Sequence, residues 1–216
     1  MGIAYNPRIP TPESLFNLID ANNSKHTTGS GNITDAINGI VWTRGGTVTN
    51  STEDGVVCFN MDNGLLQTSA TGLFGQYYTC FYLWKPRTSD SGWRTLHRND
   101  NDHIGIVQDG TKNLGMYSNR NGAFRDSGYD ITINWQTLIL TGVGDNSTAT
   151  TGTTTYYVNG ISVGTSDRVG SGTDLYRIGW EGQGPGKIAV AGSYNKLLSA
   201  NEIQELHNAL KSRYLP

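Results

Sequence analysis

The side chains able to do chemistry in this chain are few. Its five glutamates are Glu13, Glu53, Glu181, Glu202 and Glu205. Two-carboxylate hydrolysis of a glycosidic bond needs acids placed on both sides of that bond. No two of the five stand in such a pattern, and Glu202 and Glu205 belong to a surface helix. The four histidines, His26, His97, His103 and His207, have no Ser or Cys nucleophile at a catalytic spacing. His97 and His103 flank one polar turn, where cross-strand polar pairing is expected rather than a metal site. Cys58 and Cys80 lack His or Cys partners at ligand spacing, which rules out zinc, and both are expected to be buried free thiols. Asp100-Asn101-Asp102 begins like a calcium loop, whose oxygen ligands alternate along the backbone. Ile104 at the fifth position and Thr111 at the twelfth end that match. A polar hairpin turn is expected there, and Asp62-Asn63 reads the same way. Gly182 to Lys187 is glycine-rich, but a strand follows it, whereas a phosphate cradle opens a helix. The reading is a non-enzyme with no cofactor and no metal. What remains is aromatic: sugar rings stack on exposed Trp and Tyr, and Trp42, Trp93 and Trp180 stand at strand ends, where such a site would lie. These three are the candidate glycan contacts.

The elements that would position them are short and regular. Strand-like runs recur between turn clusters: Leu15 to Asp20, Val56 to Asn60, Gln76 to Lys85, Trp93 to His97, His103 to Gln108 and Leu114 to Tyr117. They continue at Trp135 to Val143, Thr153 to Val158, Ile161 to Thr165, Leu175 to Trp180 and Lys187 to Tyr194. Many short strands with frequent turn signals predict a sandwich or barrel. Asn159-Gly160 between β-formers predicts a two-residue hairpin turn with positive φ at both positions. One helix is marked, at about 199–213. Ser199 and Glu202 form a capping box, with Leu198 and Ile203 as its staple. Ile203, Leu206, Leu210 and Tyr214 then share one face, which should pack on the sandwich.

Composition agrees. The chain has 216 residues, 16% of them charged and 10% aromatic, against roughly 25% charged in an average soluble domain. A net charge of -2 without a basic block argues against nucleic acid, and no apolar run approaches the ~20 residues that span a bilayer. Residues 1–12, with Pro7, Pro10 and Pro12, read as an extended arm, and 13–216 as a single domain. The arm holds no apolar core of a signal peptide. A virion protein freed by cell lysis reconciles this with the exterior-type composition; a leader already removed would as well. Sequons at Asn22, Asn32, Asn50 and Asn146 are expected by chance in so Asn- and Thr-rich a chain.

The order of the segments resembles the laminin-G-like members of the concanavalin-A-like lectin/glucanase superfamily. The matching pieces are Leu18-Ile19-Asp20-Ala21, Val57-Cys58-Phe59-Asn60, and Tyr78 to Pro86, which ends Trp84-Lys85-Pro86. Next come Trp135-Gln136-Thr137-Leu138, Tyr157-Val158-Asn159-Gly160, and the run from Gly186 to Ile203. The resemblance implies an all-β fold: an antiparallel two-sheet jelly-roll sandwich with one C-terminal surface helix. It places Trp84 and Trp135 in core positions. The superfamily's glucanase strand, Glu-x-Asp-x-x-Glu, has no counterpart here. The opening Tyr5-Asn6-Pro7-Arg8-Ile9, with the strand that ends Leu18 to Asn22, is similar to laminin-G-like structural proteins of tailed phages, especially those infecting cyanobacteria. That similarity implies a bacteriophage structural protein, a capsid decoration subunit exposed on the virion. Tyr5, Arg8 and Ile9 would be its assembly contacts with other virion proteins or with copies of itself. The other reading is a carbohydrate-binding adhesin, of a virion tail or secreted, with cell-surface glycans as partners. A polysaccharide hydrolase or lyase ranks last.

Overall fold

A computed structural model of the chain describes residues 10, 12–23, 31–68, 70, 76–100, 102–119, 122–144, 151–167 and 176–215. Tyr5, Arg8 and Ile9 lie outside the described residues. In chain order the strands are β1 (Leu15–Asp20), β2 (Ile33–Thr34), β3 (Val41–Glu53), β4 (Val56–Thr68), β5 (Tyr77–Pro86), β6 (Arg94–Arg98) and β7 (Asp102–Val107). They continue with β8 (Asn113–Ser118), β9 (Ala123–Asp130), β10 (Gln136–Gly144), β11 (Gly152–Val158), β12 (Ile161–Asp167), β13 (Arg177–Gly179) and β14 (Gly186–Tyr194). The helix α1 is Ala200–Tyr214.

All pairings are antiparallel, and the ladder runs β12-β11-β10-β5-β14-β4-β13-β6-β7-β8-β9. It folds into two layers because β4 belongs to both. Phe59, Asn60 and Met61 pair with β14, while Leu65, Leu66 and Gln67 pair with β13. Between the two stretches Gly64 faces Gly46 of β3. A Cβ on Gly64 would lie 2.4 Å from Val48 and 2.6 Å from the Thr47 carbonyl, and Gly46 has φ +62°. A bent strand pair with backbones this close accepts only glycine there. Far from the bend, the two ends of the ladder approach each other. A Cβ on Gly164 of β12 would sit 1.8 Å from the Ser127 carbonyl of β9, and Arg125 pairs with Asp167 at 3.2 Å. The result is a nearly closed jelly-roll sandwich.

Two apolar clusters follow from the period-2 alternation of the strands. In β5, Tyr78, Cys80, Tyr82 and Trp84 enter the central cluster between the layers, with Trp42, Phe59, Leu140 and Ile178. Phe81 and Leu83 point the other way and meet Ile139, Val190, Ile203, Leu206 and Leu210 under the helix. The helix face is the expected one. Ser199 Oγ accepts from the Glu202 amide at 3.4 Å, and the Ser199 amide donates to Glu202 Oε2 at 2.7 Å. Leu198 and Ile203 are both buried in the cluster under the helix. Asn159 and Gly160 have φ +52° and +81° and join β11 to β12 by the expected two-residue turn. Cys58 and Cys80 are free and buried, and burial pushes both thiols up.

Several expectations are corrected. Asp62-Asn63 is no turn: both residues lie in β4, beside the glycine bend. Trp135 is only partly buried and packs against the cluster under the helix. Strands β3 and β9, both largely exposed, were not expected. Of the strand expected at 175–180, Leu175 lies outside the described residues and the rest forms only the three residues of β13.

Candidate functional site

The three tryptophans separate once placed. Trp42 is wholly buried, with its ring edge-on to Tyr176 at 4.9 Å and 76°. It is core, and the expectation that it contacts glycans is withdrawn. Trp180 is partly exposed, but the Arg98 guanidinium lies 3.5 Å over its ring and Arg177 stands 5.5 Å away. Arg177 in turn pairs with Asp100 at 2.8 Å. The ring face that Arg98 covers is taken. Trp93 alone remains at an open pocket.

That pocket, about 230 Å³, is lined by Trp93, His103, Ile106, Tyr117, Asn119 and Gln183. Strands β6, β7 and β8 send Leu96, Ile104, Val107 and Leu114 into the central cluster, which leaves His103, Ile106 and Tyr117 on the opposite face. Register shifts on both sides of His97 break the alternation locally. His97 therefore turns inward like Leu96 and meets the Tyr82 hydroxyl at 2.5 Å. His97 and His103 form no cross-strand pair. His103 instead meets the Thr95 hydroxyl at 2.9 Å and faces Tyr117 at 6.2 Å.

Trp93 lies just before β6, and its loop is fixed from below. Arg87 Nη2 donates to the carbonyls of Ser91 at 2.6 Å and Gly92 at 3.1 Å. The Gly92 amide donates to Asp109 Oδ1 at 2.6 Å. Arg94 has no exposed surface; it pairs with Asp90 at 3.1 Å and donates to the Thr111 carbonyl. So held, the Trp93 ring rests 5.1 Å from Tyr117 and 5.8 Å from Phe124, tilted 56° and 60°. A rigid, half-buried aromatic shelf of this kind offers an apolar face at low entropic cost.

The polar rim is neutral. Burial, with the nearby Arg98 charge, pulls His103 down to about 3, so its imidazole is uncharged at ordinary pH. Thr95 gives its one hydroxyl proton to Gln183 Oε1 at 2.9 Å. His103 Nδ1–H then donates to Thr95, which leaves Nε2 without a proton and able to accept. The Gln183 amide hydrogens and the Tyr117 hydroxyl complete a set of uncharged donors and acceptors. Of this lining, the sequence pointed only to Trp93, one of its three candidate tryptophans. Tyr117, His103 and Gln183 join it only through the β6–β7–β8 register and the turn in which the Gln183 amide donates to the Trp180 carbonyl at 2.9 Å.

A second, larger cleft of about 410 Å³ lies at the start of β14, with Glu53, Asp62, Lys85, Arg87 and Lys187 among its lining. Its lysines are engaged: Lys85 pairs with Glu53 at 2.8 Å and Asp54 at 2.7 Å, and Lys187 with Asp62 at 2.6 Å. Among the described residues no group of three His, Cys, Asp or Glu could hold a metal ion, and no helix is long and apolar enough to cross a membrane.

Neither protein-family models nor curated proteins match the sequence. Solved structures do. Domain 4 of AbnA, a GH43 extracellular arabinanase from Geobacillus stearothermophilus solved with arabinotriose, is 16% identical with a TM-score of 0.63 over 90% of this chain and 98% of that one. Trypanosoma rangeli sialidase in complex with sialic acid is 12% identical with a TM-score of 0.64 over 96% of this chain but 35% of its own. A structure of botulinum neurotoxin type C, whose cell entry depends on interaction with two ganglioside molecules, is 13% identical with a TM-score of 0.62 over 92% of this chain and 51% of its own. The chain thus spans about a third of the sialidase and half of the toxin structure. At these identities the likeness is one of fold, a concanavalin-like β-sandwich.

Proposed function

We propose that this chain is a carbohydrate-binding domain, acting as an adhesin of a virion tail or as a secreted lectin, and that it is not an enzyme. One observation carries the reading: a rigid aromatic shelf, Trp93 against Tyr117 and Phe124, stands beside neutral donors and acceptors in an open pocket. An apolar patch ringed by a few convergent polar groups fits a sugar, which has one apolar ring face and hydroxyls around its edge. Similar folds in an arabinanase domain solved with arabinotriose and in a ganglioside-dependent toxin support the reading by analogy of fold. No carboxylate stands among the described residues that line the pocket. In the neighbouring cleft, Glu53 and Asp62 are tied to lysines. The capsid-decoration reading rests on the sequence resemblance, and none of the structures named above supports it.

The test is a glycan-array screen of the whole chain, followed by titration of the best ligand into the parent and Trp93→Ala. The variant should bind at least tenfold more weakly while melting close to the parent temperature. Equal affinity in the two proteins would remove the site from consideration.

A further inference from the structure

The described lining of the pocket is uncharged. No Lys, Arg, Asp or Glu appears among the described residues that line it. The guanidiniums described on the surrounding strands have other contacts, and none lines the pocket. Arg94 is held by Asp90 and the Thr111 carbonyl, and Arg87 by the Ser91 and Gly92 carbonyls. Arg98 stacks on Trp180 and donates to the Asp100 carbonyl at 3.1 Å. Arg125 pairs with Asp167, and Arg177 with Asp100. His103, the one titratable base among the described lining residues, is uncharged at ordinary pH. Carboxylates also stand nearby: Asp90 and Asp109 hold the Trp93 loop, and Asp126 bonds Asn113 on the adjoining strands.

Resting on the glycan-binding reading above, we propose that the Trp93–Tyr117 pocket selects uncharged sugars and excludes sialylated, uronic and sulfated glycans. The physical reason is desolvation. An anionic group brought against Trp93 and Ile106 loses its water and meets no Lys or Arg among the described residues that line the pocket, and burying an unpaired charge is costly. A neutral hydroxyl loses water too, but finds His103 Nε2 as acceptor, and the Gln183 amide and Tyr117 hydroxyl as donors. Size acts in the same direction. At about 230 Å³ the pocket is below the roughly 300–1,000 Å³ of sites that enclose a whole drug-sized ligand. It therefore holds one ring, with the rest of the glycan outside. The anionic sugars bound by some proteins of similar fold do not match this lining.

The experiment presents the whole chain with matched pairs on an array: neutral oligosaccharides and the same oligosaccharides bearing sialic acid, a uronic acid or sulfate on the recognised residue. Neutral members should bind, and the acidic derivatives should bind at least tenfold more weakly, at low and at moderate salt alike. Gln183→Arg, which places a cation at the rim, should raise binding of the acidic members relative to the neutral ones. Acidic members that bind the parent chain as well as their neutral partners, with Trp93→Ala losing both, would overturn the selectivity and leave glycan binding standing. No binding by any member, or binding indifferent to Trp93→Ala, would overturn both readings.

Discussion

The two outer faces of the sandwich are built from the same alternation and end in opposite states. On the β5–β10–β14 side, the outward Phe81, Leu83, Ile139 and Val190 are roofed by α1 through Ile203, Leu206 and Leu210. On the β6–β7–β8 side, nothing described covers Trp93 and Tyr117 in this way, and the outward set mixes these aromatics with His103, Thr95 and Gln183. Aliphatic side chains have only burial to gain, so a face made of them requires a cover. A face of amphipathic rings and neutral hydrogen-bonding groups can stay open and exchange water for a ligand. The difference separates the roofed face that stabilises the domain from the open face on which the proposed site lies.

Substitutions should respect this division. The largest effect belongs under the helix: Leu206→Ala should cost about 2–5 kcal/mol by leaving a cavity, visible as a lower urea midpoint. A loss below about 0.5 kcal/mol would mean the helix does not roof that face. Acid comes next. His97, in the interior, and His103, on the open face, are both pulled down to about 3, chiefly by burial. Unfolded histidine takes up its proton near 6.5, so the unfolded chain binds more protons as pH falls below that value. The stability that each neutral ring confers is complete above pH 6.5 and is lost progressively between 6.5 and about 3. At pH 5 each buried histidine should cost the fold about 2 kcal/mol. His97→Gln should melt lower than the parent at pH 8 but lose less on acidification, and an unchanged pH slope would show that His97 is not buried neutral. Removing the N-cap, Ser199→Ala, should cost about 1 kcal/mol, read as a small drop in melting temperature. Trp93→Ala should cost least, because the ring is half-exposed; a loss comparable to that of Leu206→Ala would make the shelf a second core rather than a site.

How much of this was legible in the sequence depended on burial. The strands that alternate or run apolar, β1, β5, β10, β11 and β14, were visible because both or one of their faces are buried. The helix was visible because its cap and its stripe are local. Strands β3 and β9 were not visible: their Thr, Asn, Ser, Asp and Gly look like turns, and what makes them strands is the partner, β4 and β8 respectively. The same limit applied to the site. Trp93 could be picked out by type, but Trp42 and Trp180 could not be dismissed, since the burial of one and the Arg98 stack on the other are tertiary facts. Tyr117 and Gln183 carry no local signal. They reach Trp93 only through the pairing of His103 with Tyr117 and the hydrogen bond from the Thr95 amide to the Gln183 carbonyl.

The passage of β4 through both layers, around Gly64, bears on how the molecule comes apart. Sandwiches whose sheets touch only through side chains can lose one sheet before the other. Here β4 is hydrogen-bonded into both layers, and opening either layer pulls on a strand shared with its neighbour. Unfolding should therefore be a single cooperative event. In native-state hydrogen exchange, the amides of Phe59 and Leu66, on opposite sides of the bend, should show the same opening free energy. The pocket at Trp93 would then keep its shape until the whole domain is lost, with no partly melted state in which the open face has failed while the roofed face survives.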